Sequence, residues 1–441
     1  MNWAPYARYR AVDTTWLGQV PDHWETRNPK SLFRLRREPA HADDRQLTAS
    51  QSDGVVYQDE YMENRGTRVV QVIEGQAGLK HVAAGDFVIS LRSFQGGIEY
   101  SAAAGKISPA YTILQPLFEA DHRYFAHLLK SDGFIQELRS TSNQLRDGQS
   151  LGIEHFAQVR VPLPPKSEQR AIGGFLDRET AKIDALIDKQ EQLIATLRED
   201  RAATITQAVT KGLDQSVELC RTGIDFMDAI PSHWSVRKLK HLVERFEQGV
   251  SPQASAELAT EGWGVLKSGC VNGGAFKEIE HKKLPKDFEF DERLAVAVGD
   301  LLVCRASGSP NLVGSAAIVQ KLGYQLILSD KIFRLTPYRR SSLDYLEWAL
   351  NARPYREQVL GAISGADGLA NNLPLSSLRN FWFADPPIAE QQEIARFLGE
   401  RCTKIDSLIA KSTEMIETLR EYRSALITNA VTGKIDVREA V

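Results

Sequence analysis

The feature that most constrains this chain is that it contains one long helical stretch twice. The run PPKSEQRAIGGFLDRETAKIDALIDKQEQLIATLREDRAATITQAVTKGLD starts at Pro164. It returns 222 residues later, at Pro386, as PPIAEQQEIARFLGERCTKIDSLIAKSTEMIETLREYRSALITNAVTGKID, without a gap and with about half of the positions identical. In the first copy apolar residues fall at Ile172, Phe175/Leu176, Ile183, Leu186/Ile187, Leu193/Ile194, Leu197, Ile205 and Ala208/Val209, the three-and-four spacing of a coiled-coil seam. The second copy matches it at Ile394, Phe397/Leu398, Ile405, Leu408/Ile409, Met415/Ile416, Leu419 and Ile427. So narrow a stripe calls for a partner helix, and the two copies are expected to bury each other's seams. Each helix would run ~60 Å at 1.5 Å per residue. Antiparallel pairing is the economical arrangement, because parallel pairing needs a connection that travels back along the whole rod.

The repeat is wider than the helix. WLGQVPDHWETR near the start is answered by FMDAIPSHWSVR after the first helix, and VAAGDFVISLR by VAVGDLLVCRA, where Gly85-Asp86 and Gly299-Asp300 form turns feeding apolar strands. Each half then carries a helical segment, a glycine-containing polar turn and a short strand stopped by prolines. The order is globular domain (1–163), long helix (164–214), globular domain (215–385), long helix (386–441). Stretches such as TRVVQVI, DFVISL, AYTILQP, GVLKSG, DLLVCR, SAAIVQ and KIFRLTP read as short strands, so the expected class is α+β with a pseudo-twofold internal repeat.

Bulk properties narrow the choice further. A chain of 441 residues is too long for one compact core, and 42% hydrophobic content is ordinary for a globular protein. No apolar run approaches the length of a membrane span and MNWAPYARYR lacks the apolar core of a signal peptide, so a cytoplasmic protein without a membrane partner is expected. Cys220, Cys270, Cys304 and Cys402 are far apart, which fits free thiols and gives no zinc signature. A net charge of −3 argues neither for nor against a polyanion, since a sum hides local patches. Two similar domains in inverted orientation suit duplex DNA carrying two separated half-sites.

Taken in this order, the paired motifs resemble the specificity subunit of type I restriction-modification systems. The resemblance rests on P-x-H-W openings at Pro21 to Trp24 and Pro231 to Trp234, and on P-P-x-x-E-Q helix starts at Pro164 to Gln169 and Pro386 to Gln391. K-I-D-x-L-I stretches from Lys182 and Lys404, and A-V-T-x-x-x-D helix ends at Ala208 to Asp214 and Ala430 to Asp436, complete it. It covers nearly all of the chain. It implies two target-recognition domains, each reading one part of a split double-stranded DNA sequence, with helices that fix the gap and dock two methyltransferase subunits. Restriction subunits would join that core, and S-adenosylmethionine, ATP and magnesium would belong to the partners, leaving this chain without a cofactor. The two halves differ greatly between their landmarks, so an asymmetric target is expected. One departure is small: Met227-Asp228-Ala229 stands where the first opening has Leu17-Gly18-Gln19.

Catalytic motifs fail on physical grounds. DPPI at Asp385 to Ile388 has the outline of an amino-methyltransferase motif, but Ile388 replaces the stacking aromatic, no glycine-rich cofactor loop precedes it, and the first copy has Leu163 in place of Asp385; it reads as a helix start. In PDHWETR, Asp22 and Glu25 could ligate a metal, yet the twin has Ser232 and Ser235 there. His23 and His233 are read as packed beside their tryptophans. No G-x-x-x-x-G-K-[ST] loop exists. Neither catalytic nor metal-ligating residues are expected.

DNA contacts are expected in the loops that follow the Gly-Asp strands: Arg92, Ser93, Gln95 and Lys106 in the first half, and Arg305, Ser307 and Asn311 in the second. Glycines there permit close approach and Arg or Gln reach base edges. Asn143, Arg146 and Gln149, and Lys267, Ser268 and Asn272, occupy turns suited to phosphate or base contacts. A rival reading is a duplicated adaptor whose domains bind protein or glycan and whose coiled coil spaces them. A self-contained methylating endonuclease would need a cofactor-binding domain for which the chain has no room.

Overall fold

A computed structural model describes residues 3–50, 53–66, 78–89, 98–117, 121–141, 153–363 and 371–438. The chain is mixed helix and strand, with two helices far longer than its other elements, Lys166–Lys211 of 46 residues and Ile388–Val431 of 44. Both begin directly after a Pro-Pro pair, whose fixed φ and missing N–H suit a helix start. Both end at a left-handed glycine, Gly212 (φ 74°) and Gly433 (φ 73°). The glycine stands one place earlier in the second copy, T-G-K against T-K-G, and the second helix stops correspondingly sooner. Among the described residues no helix is long and apolar enough to cross a membrane.

The chain divides into two compact units, Met1–Glu191 with Thr413–Val441, and Gln192–Ser412. The division falls inside both long helices. Each unit therefore holds one globular half, the start of the helix that follows it, and the end of the other helix.

In the first unit a four-stranded antiparallel sheet runs in the order Phe33–Leu35, Thr112–Pro116, Phe87–Ile89, Ile98–Tyr100. The second repeats it as Val243–Gln248, Ile332–Pro337, Leu301–Cys304, Ala316–Ile318. The Gly-Asp turns enter the third strand of each, with Gly85 at φ 98° and Gly299 at φ 93°. Asp86 accepts from the Ala83 N–H at 2.8 Å and from Arg36 at 2.6 Å; Asp300 accepts from Ala297 at 2.9 Å and from Arg334 at 3.2 Å. The second unit adds a three-stranded sheet, His281–Lys283, Trp263–Leu266, Gln325–Ile327, whose last pair is parallel. The TRVVQVI stretch lies outside the described residues.

Ion pairs join the long-helix segments within each unit. In the first, Arg420 reaches Glu191 at 3.2 Å and Arg423 reaches Asp184 at 2.8 Å, so the segments run in opposite directions. In the second, Arg201 meets Asp406 at 3.0 Å and Arg401 meets Asp200 at 3.2 Å. Ile183, Ile187 and Ile416 are buried in the first unit, and Ile194, Ile205 and Ile405 in the second. The expected burial of the whole seam needs correction: Leu186, Leu193, Leu408 and Met415 are 44–51% exposed, and Phe397 is also exposed. Neighbouring helical positions diverge by about 100°, so at Leu186/Ile187, Leu193/Ile194 and Met415/Ile416 one member faces inward and the other is left at the edge, whereas Phe175/Leu176 and Ala208/Val209 are buried at both positions.

Candidate nucleic-acid interface

The repeated motifs meet in space. In the first unit the Glu168 carboxylate accepts from the Trp24 indole at 2.8 Å and the Tyr6 hydroxyl at 3.1 Å, and its other oxygen lies 2.7 Å from His23 Nε2. Gln169 accepts from the Asp121 N–H at 3.1 Å and donates to the Pro164 carbonyl at 2.9 Å. In the second unit Glu390 accepts from Trp234 at 2.8 Å and lies 2.8 Å from His233 Nε2, while Gln391 accepts from the Ser342 N–H at 2.7 Å and donates to Pro386 at 2.9 Å.

The far ends of the helices complete these joints. The last carbonyls of a helix have no partner within it. Tyr124 supplies one, its hydroxyl lying 3.0 Å from the Val431 carbonyl and 3.2 Å from that of Pro162. Tyr345 stands likewise 3.1 Å from Val209 and 3.0 Å from Ala384. Burial pushes the Tyr6, Tyr124 and Tyr345 hydroxyls well above the usual phenol range, keeping them protonated donors. The indoles of Trp24 and Trp234 lie against Gly433 and Gly212, where an added Cβ would come within 3.0 and 3.1 Å of the rings. The motifs thus fasten each globular half to two helix ends. Asp22 is exposed and Glu25 pairs with Arg27 at 2.7 Å. The DPPI segment is where the second helix starts, with Asp385 held 2.7 Å from Arg237.

Of the expected DNA-contacting residues, Arg92, Ser93, Gln95, Asn143, Arg146 and Gln149 lie outside the described residues. Lys106 sits half-buried on the strand Gly105–Ile107, paired with Lys80–Val82. Lys267 precedes the short turn Ser268–Val271, with its ammonium 3.9 Å from Glu280. Asn272 follows that turn with its side-chain oxygen buried and unpartnered among the described residues. Arg305 donates to the Asp330 carbonyl at 2.9 Å, and Ser307 pairs with Asn371 in a short antiparallel bridge.

Asn311 and the Gly273–Gly274 segment are brought together on one cleft of about 680 Å³ that also receives Lys321, Glu347 and Arg356. Arg356 holds the carbonyl of Asn311 at 3.1 Å, and Glu347 accepts from the Ile318 N–H at 2.7 Å. Burial drives the Glu347 carboxyl up and the Arg356 guanidinium down. The inner cations Arg334 and Arg356 are invisible to motif reasoning, because no spacing distinguishes them from surface arginines. In the first unit Glu38, His41 and His81 bring ligand-type atoms within 4.8 Å of one another, with Asp44 2.8 Å from His81 Nδ1. The two imidazoles stack at 4.1 Å and 19°, which aims their in-plane lone pairs side by side and not at one point.

No protein-family model matches the chain. It is 22% identical to the type I restriction enzyme EcoKI specificity subunit of Escherichia coli K12 over 71% of this chain and 65% of that protein. It is 21% identical to the putative type I restriction enzyme MjaX specificity subunit of Methanocaldococcus jannaschii over 96% of both. A chain from a solved structure on complex assembly and conformational transition of the type I R-M system superposes with a TM-score of 0.70 at 14% identity, over 93% of this chain and 98% of that one. The chain thus spans slightly less than two thirds of the EcoKI subunit. Fold and matches together define a class, the duplicated chains in which two unlike globular halves alternate with two long helices. The chain is similar in sequence to type I restriction enzyme specificity subunits and shares the fold of the solved one.

Proposed function

We propose that this chain is the non-catalytic DNA-specificity subunit of a type I restriction-modification complex. Each globular half reads one part of a bipartite, asymmetric target, and the long helices pair as an antiparallel coiled coil that sets the gap. Two methyltransferase subunits dock on the chain and restriction subunits join them; S-adenosylmethionine, ATP and magnesium bind to those partners. The observation that carries this reading is the duplicated joint: the same Trp, Glu, Gln and Tyr fasten two unlike halves to helix ends in the same way. Such conservation of fastening with divergence elsewhere suits two readers with different half-sites on one frame. The exposed Leu186 and Met415 of one unit, and Leu193 and Leu408 of the other, supply apolar surface for docking.

Methylation mapping in cells that express the chain with its methyltransferase tests the proposal. A split motif is expected, one half of which changes when one globular half is exchanged. Adding seven residues to both long helices is expected to widen the gap by ~10 Å, about three base pairs. Methylation that ignores both changes overturns the reading.

A further inference from the structure

Beside the expected reading residues Arg305 and Ser307, the second unit carries a group of cations whose heads rest on aromatic rings and neutral oxygens. Lys238 and Trp382 are strand partners, and the ammonium lies 4.9 Å from the indole centroid. Lys238 and Lys240 both donate to the side-chain oxygen of Asn380 at 3.4 Å. Arg340 donates to the His241 carbonyl at 2.6 Å and lies over the Tyr338 ring, and Arg379 lies over Phe246 at 5.2 Å. These contacts string the four cations into one patch with Trp382 and Tyr338 exposed in it. Their neighbour Arg237 is paired with Asp385. No carboxylate lies within ion-pair distance of any of the four among the described residues, although Asp385, bound to Arg237, also feels the charge of Arg340.

Heads held on aromatic faces and neutral oxygens keep their charge at the surface without an ion-pair partner. The patch is continuous with an expected reading loop. Ser307 pairs with Asn371, the Leu373 N–H donates to the Arg305 carbonyl at 2.9 Å, and the short helix Leu375–Asn380 leads from there to Arg379 and Asn380. Duplex DNA offers one negative charge per ~1.7 Å of its axis, a density that a patch of four cations without ion-pair partners can match.

We infer that Lys238, Lys240, Arg340 and Arg379 form a sequence-neutral grip on the phosphate backbone of duplex DNA, separate from the loops that read bases. This rests on the DNA-reading proposal above and adds a division of labour to it. Continuing the sequence match outward from the paired strands puts Asn28, Lys30 and Ala157 of the first unit at the places of Lys238, Lys240 and Arg379, so the grip belongs mainly to the second unit.

The test is a titration of random-sequence duplex with the full chain and its co-purified methyltransferase, comparing wild type with a K238A/K240A/R379A variant at several salt concentrations. These side chains are exposed or half-exposed, and matching thermal unfolding curves verify the fold. Three lost phosphate contacts make the slope of log K against log salt shallower by about 2.7, so the loss of affinity between about 50 and 200 mM salt shrinks by roughly 40-fold. The sequences enriched from a random pool should stay the same. An unchanged slope in the variant, with salt-sensitive binding by wild type, overturns the grip and leaves the DNA reading standing. Failure of wild type to bind duplex at low salt overturns both. Loss of the co-purified methyltransferase with an unchanged slope assigns the patch to a protein partner and overturns the grip.

Discussion

Trp24 donates its indole N–H to Glu168, 2.8 Å away across 144 residues of chain, and the same carboxylate takes Tyr6 and His23. Three donors thus converge on one buried acceptor. Replacing Glu168 with Ala should cost about 3 kcal/mol, because buried donors are left without partners. Glu390→Ala should cost less, since the Glu390 side chain is 37% exposed against 9% for Glu168 and water can replace it. Urea unfolding of both variants checks the order; equal losses would mean the carboxylates do not organise their joints as described.

Gly433 combines a positive φ with a tryptophan and a proline packed against it, whereas Gly262 has φ 79° and open space where a Cβ would go. Gly262→Ala should cost about 1 kcal/mol from backbone strain alone. Gly433→Ala should cost about 1–3 kcal/mol more, because Trp24 and Pro21 must move. Thermal melts of the two variants separate the terms.

The outward apolar side chains of the long helices provide a third test. Leu193→Ser and Leu408→Ser together should leave the melting curve nearly unchanged, since both side chains are largely exposed. The pair should reduce recovery of methyltransferase in co-purification. Full recovery would remove these residues from the docking surface.

Burial raises the Glu347 carboxyl above the ordinary glutamate range. Its folded-state pKa therefore exceeds the unfolded one, and its contribution to stability is present below the unfolded value of 4.5 and lost as pH rises through the folded value. Glu347→Gln keeps an acceptor for the Ile318 N–H and removes the buried charge. The variant should melt higher than wild type at neutral pH and no higher at about pH 4. Parallel melts at the two pH values check it.

Much of this was legible in the sequence for identifiable reasons. Gly85-Asp86 and Gly299-Asp300 announced their turns because a left-handed glycine followed by a capping aspartate is a local requirement. The Pro-Pro pairs marked the helix starts for the same reason. The P-x-H-W and E-Q motifs were each visible as copies, but their meeting was not, since it depends on contacts between residues more than 140 apart in the chain. Periodicity gave the seam and could not say which residue of Leu186/Ile187 or Met415/Ile416 faces in, because that depends on the angle at which the partner lies. Arg36 and Arg334, which meet carboxylates, and Lys238 and Lys240, which do not, look alike in sequence; what the fold places opposite each of them decides the difference.

The first compact unit is assembled from two separate stretches that flank the second in sequence, while the second, Gln192–Ser412, is one uninterrupted stretch. On the ribosome, therefore, the part translated first is completed last: Tyr124 and Trp24 wait for Val431 and Gly433 to emerge. A nonsense mutation or protease nick shortly after Ser412 would leave Gln192–Ser412 whole and take from the first unit the helix end that Tyr124 and Trp24 pack on.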